Sequence, residues 1–391
     1  MNINALAILV CVLGSGGCAM MPVAPVPEQL LWHDQAFGYD SALVTVSKRE
    51  LFALDADLLS ILGAARLAKA NAQTRVNRLT ALLYGPKYDA KIKEFPYETG
   101  HSTIAAETWR RKRGDCLSLL VLAYSMAKAM ELPVKMQEVR VPPIFDRYGG
   151  VDYVAGHVNL LIKNGGRLQL VEGFGIGDVI IDFEPQIGSQ REGSALTEDA
   201  ILARFFNNLA AQYLAEGKLD LAYAHFKAAI LTDASFSPSY ANLALLYKRR
   251  GFLPSAERLL LQAIALNDDD DVSKHSLLQL LLFEGRNTEA LAYAKLLEAR
   301  REKNPYYWIG LGLDQFRKEN YRQAVHALEH AEALSTGFEE VHRYLAMAYL
   351  RTGNQNEAKK QASVLAALTT QVNDEPVSAV LPRKIKKLPA G

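Results

Sequence analysis

Five leucines keep one fixed interval: Leu209, Leu243, Leu277, Leu311 and Leu345 are each 34 residues apart, and Ala222, Ala256, Ala290, Ala324 and Ala358 hold the same period. A period of that length rules out one compact core for this half of the chain, because each unit can bury its apolar face only on its neighbours. The positions around the two anchors agree. Ala210, Ala244, Gly312 and Ala346 follow the leucines, Tyr213, Tyr247 and Tyr349 lie four residues beyond them, and Gly217, Gly251, Gly285 and Gly353 fall at the turn. Small residues let paired helices approach, Leu and Tyr fill the groove between them, and Gly closes the connection.

This pattern resembles tetratricopeptide repeats. Five of them, spanning residues 203–368, predict an all-α solenoid. The resemblance implies a concave face that binds a peptide or a partner protein; a spacer or a docking lid for the preceding domain is the other reading. His326 and His330 are spaced for one helix face and lack a third ligand nearby, so they read as a solvated surface and no metal is expected. The acidic run Asp268 to Asp271 reads as a helix-terminating turn, and residues 372–391, with Arg383, Lys384, Lys386 and Lys387, as a disordered basic tail.

The chain has 391 residues, room for two or three domains at roughly 150 residues each. With 49% hydrophobic and 22% charged residues it falls outside the disordered and low-complexity classes. Lys+Arg 44 against Asp+Glu 43 gives no long-range attraction to phosphate, so nucleic acid is not an expected partner. Of three cysteines, Cys11 and Cys18 lie in an apolar leader, which leaves Cys116 as the one thiol of the folded body. The run Ala5 to Leu13 is too short to span a bilayer and of the right length for an export signal. Ser15-Gly16-Gly17-Cys18 resembles the bacterial lipoprotein cleavage box, although Ser15 stands where that box usually has Leu. Residues 1–18 are thus read as a signal with lipidation at Cys18, an ordinary cleaved signal or an uncleaved anchor being the alternatives, and 19–40 as a Pro-rich tether. The resemblance implies a lipid anchor in a bacterial envelope, at an outer membrane facing the periplasm.

Between tether and repeats, residues 41–195 carry the candidate chemistry. Cys116 precedes Leu117 to Met130, an apolar helical stretch, so it sits at a helix start where unpaired N–H groups and the helix dipole favour a thiolate; Lys112 and Arg113 lie close by in sequence. Gly156-His157 opens the strand-like run Val158 to Ile162, Asn164-Gly165 is a hairpin signal, and Asp178 to Pro185 is a further strand-like run. The Gly173 to Gly177 loop lacks the Lys and helix of a phosphate loop.

Cysteine on a helix start, then histidine and an acid on strands, resembles the transglutaminase-like cysteine fold. The stretches Tyr97 to Trp109, Gly114-Asp115-Cys116, Gln137 to Pro143 and His157-Val158-Asn159 resemble a bacterial subfamily that joins this α+β, papain-like fold to tetratricopeptide repeats, although Asp115 stands where relatives commonly have Asn. The resemblance implies Cys116 as nucleophile, His157 as general base and Asp182 as the residue orienting the imidazole, with no cofactor. A simple hairpin turning at Asn164-Gly165 would instead set Glu172 opposite His157, so Glu172 is the rival acid. The implied activity is thiol-dependent acyl transfer or amide hydrolysis, to an amine or to water. The other class of reading is an inactive scaffold whose repeats assemble partners.

Overall fold

The structure is a computed structural model, which describes residues 31–63, 71–84, 95, 98, 101–139, 145–148, 151–154, 157–163, 179–183, 193–335 and 338–374. After a 3-10 turn at Asp34–Phe37 come α1 (Lys48–Phe52), α2 (Ala56–Leu62), α3 (Ala72–Tyr84), α4 (Ala105–Arg111) and α5 (Cys116–Ala129). Strands follow: β1 (Val134–Val139), β2 (Phe145–Tyr148), β3 (Val151–Val154), β4 (His157–Ile162), β5 (Val179–Ile181) and β6 (Ser194–Leu196). The remainder is helical: α6 (Glu198–Ala215), α7 (Leu219–Thr232), α8 (Ser237–Arg249), α9 (Leu253–Leu266), α10 (Asp271–Phe283), α11 (Asn287–Glu302), α12 (Pro305–Arg317), α13 (Tyr321–Leu334), α14 (Glu339–Thr352) and α15 (Gln355–Asp374). No described helix is long and apolar enough to cross a membrane.

The α+β unit is organised by α5. Every residue from Leu117 to Ala127 is buried, and a helix apolar all round is stable only when enclosed on all sides. It lies against an antiparallel sheet of order β5-β4-β1-β6, with β1 and β4 in register from Val134↔Ile162 to Val139↔His157 and β4 paired with β5 from Leu160↔Ile181 to Ile162↔Val179. Val158, Leu160 and Ile162 join the α5 core, together with Leu58, Leu62, Leu79 and Leu83 of α2 and α3.

Helices α6 to α15 form five successive hairpins in the phase of the 34-residue period, a tetratricopeptide-type solenoid. Leu243, Leu277, Leu345 and the five period alanines are at most 4% exposed. Gly217, Gly251, Gly285 and Gly353 adopt φ between 75° and 85° at the turn within a hairpin; in the fourth hairpin that left-handed position falls on Glu319, φ 62°. A side chain there costs roughly 1 kcal/mol, so the fourth hairpin closes under more strain than the others.

The structure departs from the expected organisation in two places. The first hairpin is not separate from the α+β unit: Ile201, Leu202, Phe205 and Phe206 of α6 belong to the α5 core, and Ala210, Ala211 and Leu214 of the same helix belong to the array core. One helix therefore serves both units, and the array starts at Glu198 rather than near residue 203. Residues 31–40, assigned to the tether by sequence, are folded against the first two hairpins, because Leu31 and Phe37 are apolar enough to enter the array core. Residues 1–30, Cys18 among them, and 375–391 of the basic tail lie outside the described residues.

Candidate functional site

Cys116 is the first residue of α5, and Asp115 caps that helix. The Asp115 carboxylate, 5% exposed, accepts from the Ser118 N–H at 2.7 Å, the Ser118 Oγ at 2.5 Å and the Ser102 Oγ at 2.5 Å. Asn208 on α6 donates to Ser102 Oγ at 3.0 Å, which ties the start of α5 to the first repeat helix. Gly114 is needed for this closeness: a Cβ there would fall 2.9 Å from Ser118 Cβ and 3.2 Å from Thr108 Cγ2. An acidic residue one place before an apolar helix is an N-cap signal, so the role of Asp115 was open to sequence reasoning, while Ser102 and Asn208 were not.

The two cations expected to favour the thiolate are directed elsewhere. Lys112, in a left-handed conformation with φ 54°, holds its ammonium over the Trp109 ring, and burial lowers its pKa to about 8 against the opposing pull of Asp55. Arg113 reaches Glu98, which Arg111 also pairs at 2.8 Å. Trp109 and Glu98 thus capture charges that proximity in sequence assigns to the thiol.

His157 opens β4 at 5% exposure, and its Nε2 is 2.7 Å from Asp182 Oδ2, one residue past β5. Asn159, on the same alternation of β4, donates to the same oxygen at 3.3 Å, and the Asp182 backbone carbonyl accepts from Tyr84 Oη at 3.2 Å. With Asp182 ionised, Nε2 carries the imidazole proton and Nδ1 is the basic nitrogen. Asn159 Oδ1 is buried and unpartnered among the described residues. The structure therefore joins His157 to Asp182 and places Cys116 on the first turn of the helix packed against β4; Glu172 lies outside the described residues. His101 sits 3.4 Å from Gln212, beside the repeats. No group of three metal-ligating side chains occurs among the described residues.

A second constellation, absent from the sequence reading, surrounds residues 31–39. Phe37, 0% exposed, stacks on Tyr223 at 4.5 Å, and His33 stacks on Phe252 at 4.4 Å. Lys227 holds the Asp34 carboxylate at 2.8 and 2.9 Å, and Tyr223 Oη donates to it at 2.7 Å. Tyr247 Oη donates to the Leu31 carbonyl at 2.5 Å, and His33 Nε2 lies 2.8 Å from Ser255 Oγ. The segment thus uses main-chain, charged and aromatic contacts at once, with partners about 190 residues away that no local signal announces.

Docking of this segment is expected to depend on pH. Burial, and after it the Arg258 cation, holds His33 below its ordinary 6.5, so its contribution to docking is complete above 6.5 and is lost as pH falls through the lower docked value. Burial pushes Asp34 up, but the hydrogen bonds from Lys227 and Tyr223 outweigh it and leave the carboxyl below its ordinary 3.8; that contribution disappears only in stronger acid. Trp32 fluorescence, with Trp109 and Trp308 replaced by Phe, is expected to report loosening that begins below pH 6.5 and release in stronger acid. An unchanged signal from pH 8 to below 3.8 would contradict the assignment.

No family model and no curated protein matches this chain. Among solved structures it is similar to YrrB, a TPR protein with an unusual peptide-binding site, at 15% identity over 43% of this chain and 87% of that one, TM-score 0.24. It is also similar to MamA from Desulfovibrio magneticus RS-1, at 15% identity over 43% and 96%, TM-score 0.24. A third similarity is to the Cut9-Hcn1 hetero-tetramer of the APC/C, at 19% identity over 43% and 33%, TM-score 0.25.

Proposed function

We propose that this chain is a protein-interaction scaffold whose helical hairpins hold extended peptide segments. One observation carries the reading: residues 31–39 of the chain itself are seated on the first two hairpins through Asp34, Phe37 and the Leu31 carbonyl. A surface that orders one such segment has the mixed aromatic, cationic and hydrogen-bonding character that peptide recognition requires. In-cell crosslinking tests it by comparing the intact chain, Cys116→Ser and a chain ending at Lys303, which keeps the apolar core of the first three hairpins. Recovery of the same partner with the intact chain and Cys116→Ser, and its reduction on truncation, is the expected outcome; loss with Cys116→Ser alone would overturn the scaffold reading.

A second reading is supported by the buried His157 and Asp182 pair and by Cys116 at a helix start, in a unit that resembles transglutaminase-like cysteine enzymes. In it, Cys116 Sγ attacks an amide carbonyl, His157 returns the proton to the departing amine, and water or a second amine then cleaves the thioester. Its substrates are those the array delivers. Iodoacetamide labelling across pH checks this: His157→Ala should slow alkylation near neutral pH at least tenfold, and Asp182→Asn should slow it less. Equal profiles for wild type and His157→Ala would leave the scaffold reading alone.

The location proposed with either reading is the bacterial envelope, with export directed by residues 1–18 and a lipid on Cys18, supported by the apolar run and the small residues before that cysteine. Radioactive palmitate should label the wild type and fail to label Cys18→Ser; equal labelling would remove the anchor.

A further inference from the structure

Two periods beyond the cradle, its positions recur. Adding 68 to Tyr223, Lys227, Tyr247, Ser255 and Arg258 gives Leu291, Lys295, Gln315, Gln323 and His326. These residues lie at the junction of the third and fourth hairpins. The neighbouring junctions do not offer an acidic segment the same contacts. Between the second and third hairpins, Arg286 occupies the Phe252 position and pairs with Glu257 at 2.8 Å and Glu289 at 2.7 Å, which occupy the Tyr223 and Ser255 positions. Between the fourth and fifth, Glu329 occupies the Lys227 position and accepts from Tyr349 Oη at 2.5 Å, so a carboxylate would meet a carboxylate.

The junction between them is open. Leu291 is 55% exposed, and Lys295 is exposed and pairs with no carboxylate among the described residues. On the fourth hairpin's side of the junction, a cavity of about 320 Å³ is lined by Leu311, Gln315, Gln323, His326 and Ala327, all from α12 and α13. Gln315 and Ala327 stand there at the positions that the bulkier Tyr247 and Leu259 hold in the second hairpin. The apolar core also breaks here: one cluster ends at Ala290 and Tyr293, and the next begins at Trp308 and Ile309. Gln315 Oε1 accepts from Asn320 Nδ2 at 3.0 Å, which leaves the Gln315 amide nitrogen as a donor where Tyr247 Oη donates to the Leu31 carbonyl.

We propose that the junction of the third and fourth hairpins is a docking site for an extended acidic segment of a protein partner. Its carboxylate pairs with Lys295, a main-chain carbonyl accepts from Gln315, and an apolar side chain three residues after the acid covers Leu291, as Phe37 follows Asp34 in the occupied cradle. The two carboxamides and His326 select a polar side chain for the cavity in place of the ring that stacks on Phe252. The inference rests on the scaffold reading and names where, and with what chemistry, a partner is held.

The test uses the full chain and a fluorescein-labelled peptide with the sequence of residues 31–39 carrying Asn in place of His33, so that a carboxamide replaces the ring, followed by anisotropy. The wild type should bind one peptide, with the affinity lowered at least tenfold by Lys295→Glu, by Leu291→Asp, and by Asn in place of the peptide's aspartate. Both substituted side chains are exposed, so the fold is retained, and circular dichroism verifies it. Binding unchanged in both protein variants would place the peptide elsewhere and overturn this site while leaving the scaffold reading standing; absence of binding would overturn the site as well. A dimer in sedimentation that Lys295→Glu dissolves would make the occupant a second copy's own segment and overturn the separate partner.

Discussion

Ala256→Glu is expected to melt the second hairpin and to destabilise the array by about 4 kcal/mol or more, at the upper end for a single substitution. Ala256 is 1% exposed and shares a core with Leu243, Ala244 and Tyr247 of α8. A glutamate there either desolvates a charge with no partner or forces the helices apart, and each outcome costs several kcal/mol. Because hairpins are stabilised by their neighbours, the damage should spread to both flanking units. Thermal unfolding followed by circular dichroism, with hydrogen exchange over residues 237–266, reads both effects; a melt superimposable on the wild type would mean that the period does not mark helix crossings.

The second large effect is expected at Phe37→Ala. The ring is fully buried, stacked on Tyr223, and 5.9 Å from Tyr247 and 6.1 Å from Phe252. Removal of a buried phenylalanine costs about 3–5 kcal/mol, more than a short docked segment is expected to hold in reserve. Residues 31–40 should therefore leave the array, become sensitive to protease and lose amide protection, while the α5 core keeps its protection. Retained protection over residues 31–40 would show that the polar contacts of Leu31, His33 and Asp34 hold the segment without the Phe37 ring.

The repeats were legible because packing at helix crossings restricts residue type at a fixed spacing: Leu243 and Ala256 announce themselves at each turn of the period. The order of helix and strands around Cys116, His157 and Asp182 was legible for a similar reason, an apolar helix and runs of β-branched residues being local signals. Phe205 and Phe206 show where that legibility ends. They belong to a repeat helix yet pack on the α+β core, and no local pattern says which of two cores an apolar residue enters. Residues 31–40 depart from the tether expectation for the same reason: the prolines before them signal an extended tether, while the tyrosines that receive Phe37 lie in another part of the chain. Lys112 and Arg113 were assigned to the thiol by proximity in sequence, whereas Trp109 and Glu98 capture them in space.

The central claim, that the hairpins are a surface for extended peptides, is tested most directly by titrating the residue 31–39 peptide into Phe37→Ala by calorimetry, with the wild type as reference. Release of the chain's own segment should expose its cradle, so the variant should bind one more peptide than the wild type, and the added site should vanish when Lys227→Glu is combined with it. An identical stoichiometry for wild type and Phe37→Ala, with residues 31–40 shown to be released, would contradict the claim.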